Sequence, residues 1–147
     1  MDLKGHLRIG DFGMSKCDFE EDDFAASVCG SAEYMAPEIL ENKDYNFSAD
    51  FYSIGALLYE LLTGYPPHYN QEENEQKLQQ IKKMDLRLDK VTDDLLLRQL
   101  LINLLHPDPE KRISNFQEIK NSAWLGGVDW KVIESKHEIM PLVLDPN

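Results

Sequence analysis

Residues 50–62 decide the fold, and they read Asp50-Phe51-Tyr52-Ser53-Ile54-Gly55-Ala56-Leu57-Leu58-Tyr59-Glu60-Leu61-Leu62. In a helix with this sequence, apolar side chains cover almost the whole circumference. A helix that is apolar all round is normally buried on every side. The segment therefore predicts the central helix of a mainly α domain, and Gly64 with the following Pro66-Pro67 predicts where that helix ends.

Two longer helices are predicted on the C-terminal side. Residues 72–84 form a more polar segment in which Leu78 and Ile81 share one face. Thr92-Asp93-Asp94 is typical of a helix start, with a capping side chain and an acidic first turn. The positions that follow predict a helix to about residue 105 with one buried stripe, which consists of Leu97, Leu100, Leu101 and Leu104.

Shorter elements are predicted on both sides of these helices. Pro37 suits a first helical turn, so residues 36–40 are expected to form a short helix. Ser114 and Gln117 have the spacing of a capping box, which predicts another helix start. Polar and apolar residues alternate over residues 6–9, and this period predicts a short β-strand.

Composition and charge narrow the function classes. The chain has 147 residues, a net charge of −12 and 42% hydrophobic residues, as expected for one compact globular domain. Nucleic-acid affinity rests on clustered Lys and Arg, so the negative charge argues against it and favours a basic peptide as partner.

No apolar stretch reaches the ~18–20 residues of a membrane span. Cys17 and Cys29 make no disulfide framework, which predicts an intracellular and most simply cytoplasmic location. The four histidines lack metal-ligand spacing, so no zinc site is predicted.

Two triplets bracket a segment that has no helical period. Asp11-Phe12-Gly13 precedes this segment and Ala36-Pro37-Glu38 follows it. In this order and at this spacing, the pair resembles the two motifs that bracket the activation loop of eukaryotic protein kinases. The helix predicted at Asp50 is similar to the buried helix of the kinase C-terminal lobe, and residues 106–112 are similar to the segment with its late arginine. The resemblance implies that lobe: a helical bundle around one buried helix, with a short β-strand before Asp11.

The resemblance extends to one kinase group. Ser27-Val28-Cys29-Gly30-Ser31-Ala32-Glu33-Tyr34 resembles the activation-loop end of the AGC serine/threonine kinases. Residues 120–130 are similar to the entry into the C-terminal tail of that group, and Ile139-Met140-Pro141 resembles its continuation. The chain then divides into a partial kinase domain at 1–124 and the start of an AGC-like tail at 125–147.

The resemblance assigns roles near the transferred phosphoryl group. Asp11, in the motif with Phe12 and Gly13, matches the carboxylate that binds Mg²⁺, so ATP and Mg²⁺ are the expected cofactors of the complete enzyme. Ser27 matches the activating phosphosite, and Lys16 matches a cation that receives the phosphate. The alternative is that Ser27 is an ordinary loop serine whose acidic neighbours repel a phosphate.

Further roles concern the substrate and the frame of the site. Ser31 matches a hydroxyl residue beside the substrate, and Glu60 matches a carboxylate that binds a substrate arginine in some kinases, although it also occurs in kinases with other preferences. Glu38 and Arg112 are expected to form a buried ion pair, the alternative being two solvated surface charges. Asp50 is expected to hold the backbone of the catalytic loop, a role compatible with simple N-capping.

Other working parts of the family have no counterpart in the sequence. These are the Gly-rich loop, the phosphate-pairing lysine, its helix glutamate and the His-Arg-Asp catalytic loop, so no catalytic residue is assigned. The expected function is the C-terminal lobe of an ATP-dependent serine/threonine protein kinase whose N-lobe is absent. Whether Met1 is an internal methionine or the sequence is a gene fragment stays open.

Two consequences are expected from the missing parts. The chain alone is expected to transfer no phosphate to a protein substrate. Large side chains of the central helix are expected to face water, at a cost of ~1.5–3 kcal/mol each, so the isolated chain needs the missing lobe or a chaperone. The alternative function is a non-catalytic, kinase-derived module that binds substrates or a kinase partner.

Overall fold

The structure is a computed structural model, and it describes residues 2, 4–15, 25, 30–69 and 74–136, with only the backbone of Asn74. Over these residues the fold is mainly α, which confirms the predicted architecture. The α-helices are Pro37–Leu40 (α1), Ser48–Thr63 (α2), Asn74–Lys82 (α3), Leu88–Val91 (α4), Leu95–Leu104 (α5), Phe116–Lys120 (α6) and Trp130–Ser135 (α7). Short 3-10 turns occur at Phe12–Met14, Pro109–Lys111 and Ala123–Leu125. No helix in the described part of the chain is long and apolar enough to cross a membrane.

The core lies between α2 and α5. Gly55 permits the close approach of the two helices, because a Cβ at this position would lie 2.8 Å from the Cβ of Leu104. Tyr52 of α2 and Leu101 of α5 are almost completely buried in the same cluster. Ile81 of α3 joins this cluster, whereas Leu78, predicted to share its face, is half-buried and lies outside the cluster. Gly64 ends α2 with a φ of 82°, a left-handed conformation that suits glycine.

The α5 helix confirms the predicted stripe. Its buried residues are Leu97, Leu100, Leu101 and Leu104. The predicted cap, Thr92 with Asp93 and Asp94 in the first turn, is wrong by two residues: the N-cap is Asp94, whose carboxylate accepts hydrogen bonds from the amides of Leu96 and Leu97 at 2.9 and 3.2 Å. Thr92 instead accepts a hydrogen bond from the Asp94 amide at 3.1 Å. The start of α5 is thus held by two successive side-chain oxygens.

The predicted cap of α6 is wrong by one residue. Asn115, not Ser114, is the N-cap, and its side-chain oxygen accepts from the Glu118 amide at 3.0 Å. The Asn115 side-chain amide also donates to the Glu118 carboxylate, so the two residues are joined by two hydrogen bonds. Two overlapping patterns, one starting at Ser114 and one at Asn115, exist in the sequence. The backbone conformation at Asn115, with φ −147° and ψ 157°, selects the second.

The predicted strand at residues 6–9 does not form. Residues 6–10 have no secondary structure, and the apolar side chains of Leu7 and Ile9 are exposed. An alternating segment becomes a strand only where a neighbouring strand accepts its backbone hydrogen bonds. Among the described residues, β-pairing is limited to one antiparallel bridge between Ala25 and Tyr45, with N···O distances of 2.8 and 3.0 Å.

Within the part of the chain that the structure describes, the central helix is covered on one side only. The covered side includes Phe51, Tyr52, Gly55 and Ala56. The other side exposes Ile54, Leu57, Leu61 and Leu62, with Leu61 at 76% and Leu57 at 50%. The prediction of burial on every side is therefore wrong for this structure, whereas the expected exposure of large side chains is present. The helices of the described chain are too few to surround α2.

Candidate functional site

Asp11 occupies a left-handed backbone conformation at the entrance of a cavity. Its φ and ψ are 59° and 64°, and it directly precedes the 3-10 turn Phe12–Met14. Aspartate adopts this region more readily than most residues with a side chain. The Ser15 amide and hydroxyl close the turn on the Phe12 carbonyl at 3.1 and 2.7 Å. The chain reversal leaves the Asp11 carboxyl group exposed, so it is accessible to a ligand.

Asp50 faces the same cavity from the first turn of α2. This cavity, which we call the front cavity, has a volume of ≈ 910 Å³ and is lined by Asp11, Asp50, Asn46, Phe51 and Ile54, among others. Burial raises the pKa of the Asp50 carboxyl group. Asp50 lies in the first turn of α2 and is not its N-cap, which is Phe47. The Asn46 side chain, one residue before the N-cap, accepts the Ser48 amide at 3.0 Å.

Glu38 and Arg112 form a buried two-point ion pair. The guanidinium nitrogens Nη1 and Nη2 lie 2.6 and 2.9 Å from the two carboxylate oxygens, and the exposed fractions of the Arg112 and Glu38 side chains are 0% and 7%. Nη1 also donates to the Ser48 carbonyl at 3.0 Å, and Nε donates to the His106 carbonyl at 2.9 Å. Such parallel hydrogen bonds between planar groups are among the strongest in proteins. Arg112 therefore joins α1, the start of α2 and the segment after α5.

Ser31 and Glu60 lie on opposite sides of Tyr34. The Ser31 carbonyl accepts the Tyr34 amide at 3.0 Å. The Tyr34 hydroxyl donates to Glu60 Oε2 at 2.6 Å, and this hydrogen bond to Glu60 raises the pKa of Tyr34. Ser53 of α2 donates to the Tyr34 carbonyl at 2.9 Å. Tyr34 thus fixes residues 31–35 on α2, a link that no spacing rule in the sequence indicates.

A second cavity lies between this segment and α2. It has a volume of ≈ 410 Å³ and is lined by Ser31, Tyr34, Asp50, Ser53 and Ala25, among others. Asp50 lines both cavities, so the start of α2 connects them. The structure thereby brings Ser31 near the helix that carries Asp50.

Two predicted site residues fall outside the described part of the chain. These are Lys16 and Ser27. Cys17, Cys29 and the segment Ile139-Met140-Pro141 also fall outside it. Of the region between Ser15 and Gly30, the structure describes Ala25, which pairs with Tyr45 between α1 and α2.

The region predicted as a tail packs back on α6. Asp129 caps α7 by accepting the amides of Lys131 and Val132 at 3.0 and 3.3 Å. Lys120 of α6 pairs with Glu134, and its ammonium nitrogen lies 5.4 Å from the centre of the Trp130 ring. Lys120 makes both the ion pair and the cation–π contact, so it joins α6 to α7.

Known proteins with similar sequences support the family. The sequence profile of the protein kinase domain matches residues 1–125. A serine/threonine-protein kinase of Arabidopsis thaliana, AtPK1/AtPK6, is 40% identical over 145 residues. The kinase gad8 of Schizosaccharomyces pombe is 37% identical over 138 residues, and human Sgk2 is 33% identical over 150 residues.

These matches cover nearly all of this chain but only part of each relative. The aligned regions include 96%, 92% and 100% of this chain for the plant, yeast and human proteins. They include 30%, 24% and 40% of the relatives' own lengths. The chain belongs to the protein kinase family, and its relatives are serine/threonine kinases of the AGC type.

Proposed function

We propose that this chain supplies the activation segment and the C-terminal lobe of an ATP-dependent protein serine/threonine kinase. One observation carries the proposal: Asp11 and Asp50 line the same cavity at the start of the central helix. The Glu38–Arg112 pair supports it, since it ties the end of the activation segment to that helix start through the Ser48 carbonyl. The substrate class is the hydroxyl group of Ser or Thr in a protein.

Asp11 fits the role of a magnesium ligand. Its carboxyl group is exposed at the front cavity. In the described residues, no group of three or more His, Cys, Asp and Glu side chains is arranged to hold a metal. Magnesium in kinases needs only one or two carboxylates, because phosphate oxygens and waters supply the other ligands. When bound, Mg²⁺ neutralises charge on the phosphates of ATP.

Residues of this chain are proposed to position the hydroxyl group that accepts the phosphoryl group. In the reaction, the γ-phosphoryl group passes from ATP to the Ser or Thr hydroxyl, which loses its proton, and ADP leaves. We propose that Ser31, beside the ≈ 410 Å³ cavity, contacts the site of transfer. No residue of this chain is assigned to accept the proton.

Glu60 is proposed to receive a basic residue of the substrate. Tyr34 occupies Oε2 of Glu60 through the 2.6 Å hydrogen bond. Oε1 remains for a cation, and a carboxylate accepts hydrogen bonds at both oxygens. The competing role of Glu60 is structural, as the anchor of Tyr34. A basic peptide also suits the net charge of −12.

Phosphorylation of Ser27 is proposed to order the activation segment. A phosphate group adds about −1.5 to −2 charge and forms strong hydrogen bonds with cations, for which Lys16 is the candidate. The Ala25–Tyr45 bridge gives the segment one fixed point two residues before Ser27. The reducing, intracellular location proposed for the protein rests on its cysteine usage.

The exposed side of α2 is proposed to be covered by another part of the complete kinase. Leu57 and Leu61 are too exposed for the interior side chains of a finished domain. We therefore expect the isolated 147-residue chain to associate with itself or with a chaperone, and to transfer no phosphate from ATP to a basic peptide.

A non-catalytic interaction module is the second candidate. The exposed side of α2 also favours this function, since a partner protein is another way to cover it. The transcript upstream of the Met1 codon separates the two candidates. We expect an in-frame segment that encodes a His-Arg-Asp catalytic loop, and a stop codon directly upstream of a working start signal would contradict the enzyme proposal for this product.

The longer product, if encoded, permits a direct test of Asp11. Asp11→Asn is expected to lower the rate of peptide phosphorylation by roughly 100-fold or more, because the amide is a weaker magnesium ligand. The matched control is Asp89→Asn, which makes the same change at an exposed position in α4. Equal activity of the two variants would refute the role of Asp11.

A further inference from the structure

A third cavity lies away from the proposed kinase site. It opens where the end of α2 and residues 65–69 meet the turn after α3, and its volume is ≈ 660 Å³. We call it the side cavity. Polar groups and tyrosine rings line it: Tyr59, Thr63, Tyr65, Pro66, His68, Tyr69, Gln80, Asp85 and Arg87. None of these residues is used in the proposed phosphoryl transfer.

His68 lines this cavity and has a buried polar atom without a partner. Its Nε2 atom is buried and has no hydrogen bond to any residue that the structure describes. An unsatisfied buried nitrogen destabilises the folded state, so such atoms are rare in folded proteins unless a ligand or water satisfies them. The backbone at His68 is also left-handed, with φ 60°. The protein therefore holds this imidazole in an unfavourable position.

Arg87 supplies a second donor at the side cavity. Its side chain is 68% exposed, and its Nε atom lies 3.9 Å from the Asp85 carboxylate, too far for a hydrogen bond. Arg87 is left-handed as well, with φ 46°. Most of the guanidinium donors are therefore available to a ligand.

The side cavity lacks the negative charge of the chain as a whole. The charges of its two charged lining residues, Arg87 and Asp85, cancel, and Lys77, outside the lining, adds a positive charge near His68. The chain carries −12 overall. An acidic group of a partner is therefore repelled less at this cavity than at surfaces that share the overall charge.

The rings of Tyr65 and Tyr69 provide an apolar wall. Their centres are 5.3 Å apart with an angle of 35° between the planes, and both side chains are more than half exposed. In a bound partner, an apolar residue next to the acidic residue can pack against these two rings. Tyrosine and arginine are both enriched at protein–protein interfaces.

We propose that the side cavity binds an acidic side chain of a polypeptide partner, with its carboxylate or phosphate oxygens accepting hydrogen bonds from His68 and Arg87 and its neighbour packing on Tyr65 and Tyr69. The site is independent of the proposed catalytic function. It would serve as a docking site for a protein that carries an acidic group next to an apolar residue.

Binding at this site is expected to depend on pH. Burial lowers the pKa of His68, the nearby Lys77 lowers it further, and Asp85 opposes both. An anion beside Nε2 favours the charged imidazole and raises this pKa, so the complex takes up a proton. The peptide is therefore expected to bind more tightly at pH 6 than at pH 8. The other titratable groups lining the cavity are Tyr59, Tyr65, Tyr69 and Arg87.

The test uses four peptides with blocked termini that share one sequence containing a tryptophan. They differ only in the residue after the tryptophan, which is glutamate, phosphoserine, glutamine or lysine. Binding to the 147-residue chain, immobilised at low density, is measured by surface plasmon resonance. We expect the glutamate or phosphoserine peptide to bind at least about tenfold more tightly than the glutamine peptide. The ratio between those two acidic peptides identifies the preferred oxyanion.

Two variants locate the binding. Arg87→Ala and His68→Gln are each expected to weaken binding of the acidic peptide by about tenfold. Lys131→Ala removes one positive charge at an exposed position of α7 and is the matched control, with unchanged affinity expected. Arg87 is exposed, so its variant remains informative even if His68→Gln does not fold.

Several results would overturn the proposal. Tighter binding of the lysine peptide would show that the cavity binds a cation, with Asp85 as its partner, and not an acidic group. Equal affinity of all four peptides would leave only apolar contact, and a lack of binding at millimolar peptide would exclude the site. If the affinity for the glutamate peptide did not change with pH, His68 would not be part of the binding site.

Discussion

The two sides of α2 have similar sequences and different surroundings. On one side Tyr52, Gly55 and Ala56 pack against α5 with almost no exposure. On the other side Leu57 and Leu61 are half or more exposed. The apolar pattern of a sequence therefore predicts which helix is central, whereas the number of neighbouring helices determines how much of its surface is covered. Substitutions on the two sides should therefore have different effects.

The largest effect is expected at the ion pair that closes the covered side. Arg112→Ala leaves Glu38 as a buried, unpaired carboxylate and removes the hydrogen bond to the Ser48 carbonyl. We expect the free energy of unfolding to fall by about 3–5 kcal/mol. Urea unfolding followed by tryptophan fluorescence measures the change, on a Leu61→Gln background that limits association.

The double variant Glu38→Leu, Arg112→Met is the control for this prediction. It removes both charges and keeps similar volume, so part of the loss is expected to be recovered. Recovery stays incomplete because the carbonyls of Ser48 and His106 lose their donor. A single Arg112→Ala variant as stable as the parent would show that the covered side does not depend on the pair.

A smaller effect is expected from Gly55→Ala. The added Cβ would lie 2.8 Å from the Cβ of Leu104 and 3.1 Å from Leu105 carbons. Overpacking of this kind costs about 1–3 kcal/mol, which exceeds the helix-propensity gain of about 1 kcal/mol. The urea midpoint should fall. A stabilised Gly55→Ala variant would mean that α2 and α5 are further apart than this contact requires.

High pH should affect the covered side through Tyr52. Burial raises the pKa of Tyr52, so its phenol stays neutral in the folded chain when the unfolded chain begins to ionise near pH 10. Stability is therefore intact below pH 10 and falls as the pH rises above it, by less than about 1 kcal/mol per group at pH 10.5. Tyr52→Phe should have a smaller loss between pH 8 and 10.5 than the parent. An equal loss in both would place the sensitivity elsewhere, for example at Tyr34 or Tyr59.

The smallest change in stability is expected on the exposed side. Leu61→Gln alters a side chain that is 76% exposed, so the free energy of unfolding should change by no more than about 0.5 kcal/mol. Self-association, measured by light scattering, should nevertheless decrease, because an exposed apolar group is lost. The matched change Leu101→Gln, at a fully buried position of α5, is expected to prevent folding. Strong destabilisation by Leu61→Gln would show that the exposed side is covered within the chain.

Parts of the fold with a strong local signal were predictable. The stripe of α5 and the end of α2 at Gly64 follow from periodicity and from glycine's conformational freedom. The cap of α6 was misplaced because Ser114 and Asn115 offer competing patterns. The strand at residues 6–9 failed for another reason, since a strand depends on a partner that a local pattern cannot report.

The candidate site divides in the same way. Sequence motifs identified Asp11, Asp50, Glu38 and Arg112, and the structure shows which of them meet. Nothing local predicted that Asn46 accepts the Ser48 amide at the start of α2, or that Tyr34 donates to Glu60. These contacts join residues from different elements. The roles of Lys16 and Ser27 stay predictions.

The sequence by itself determined the family, the central helix and the residue types available for phosphate chemistry, because motifs and periodicity are local properties of a chain. The tertiary structure alone decided that Arg112 reaches Glu38, that one side of α2 stays exposed and that His68 has a buried nitrogen without a partner. The physical reason is that burial, pKa and hydrogen bonding depend on groups distant in sequence, whose distances only packing sets.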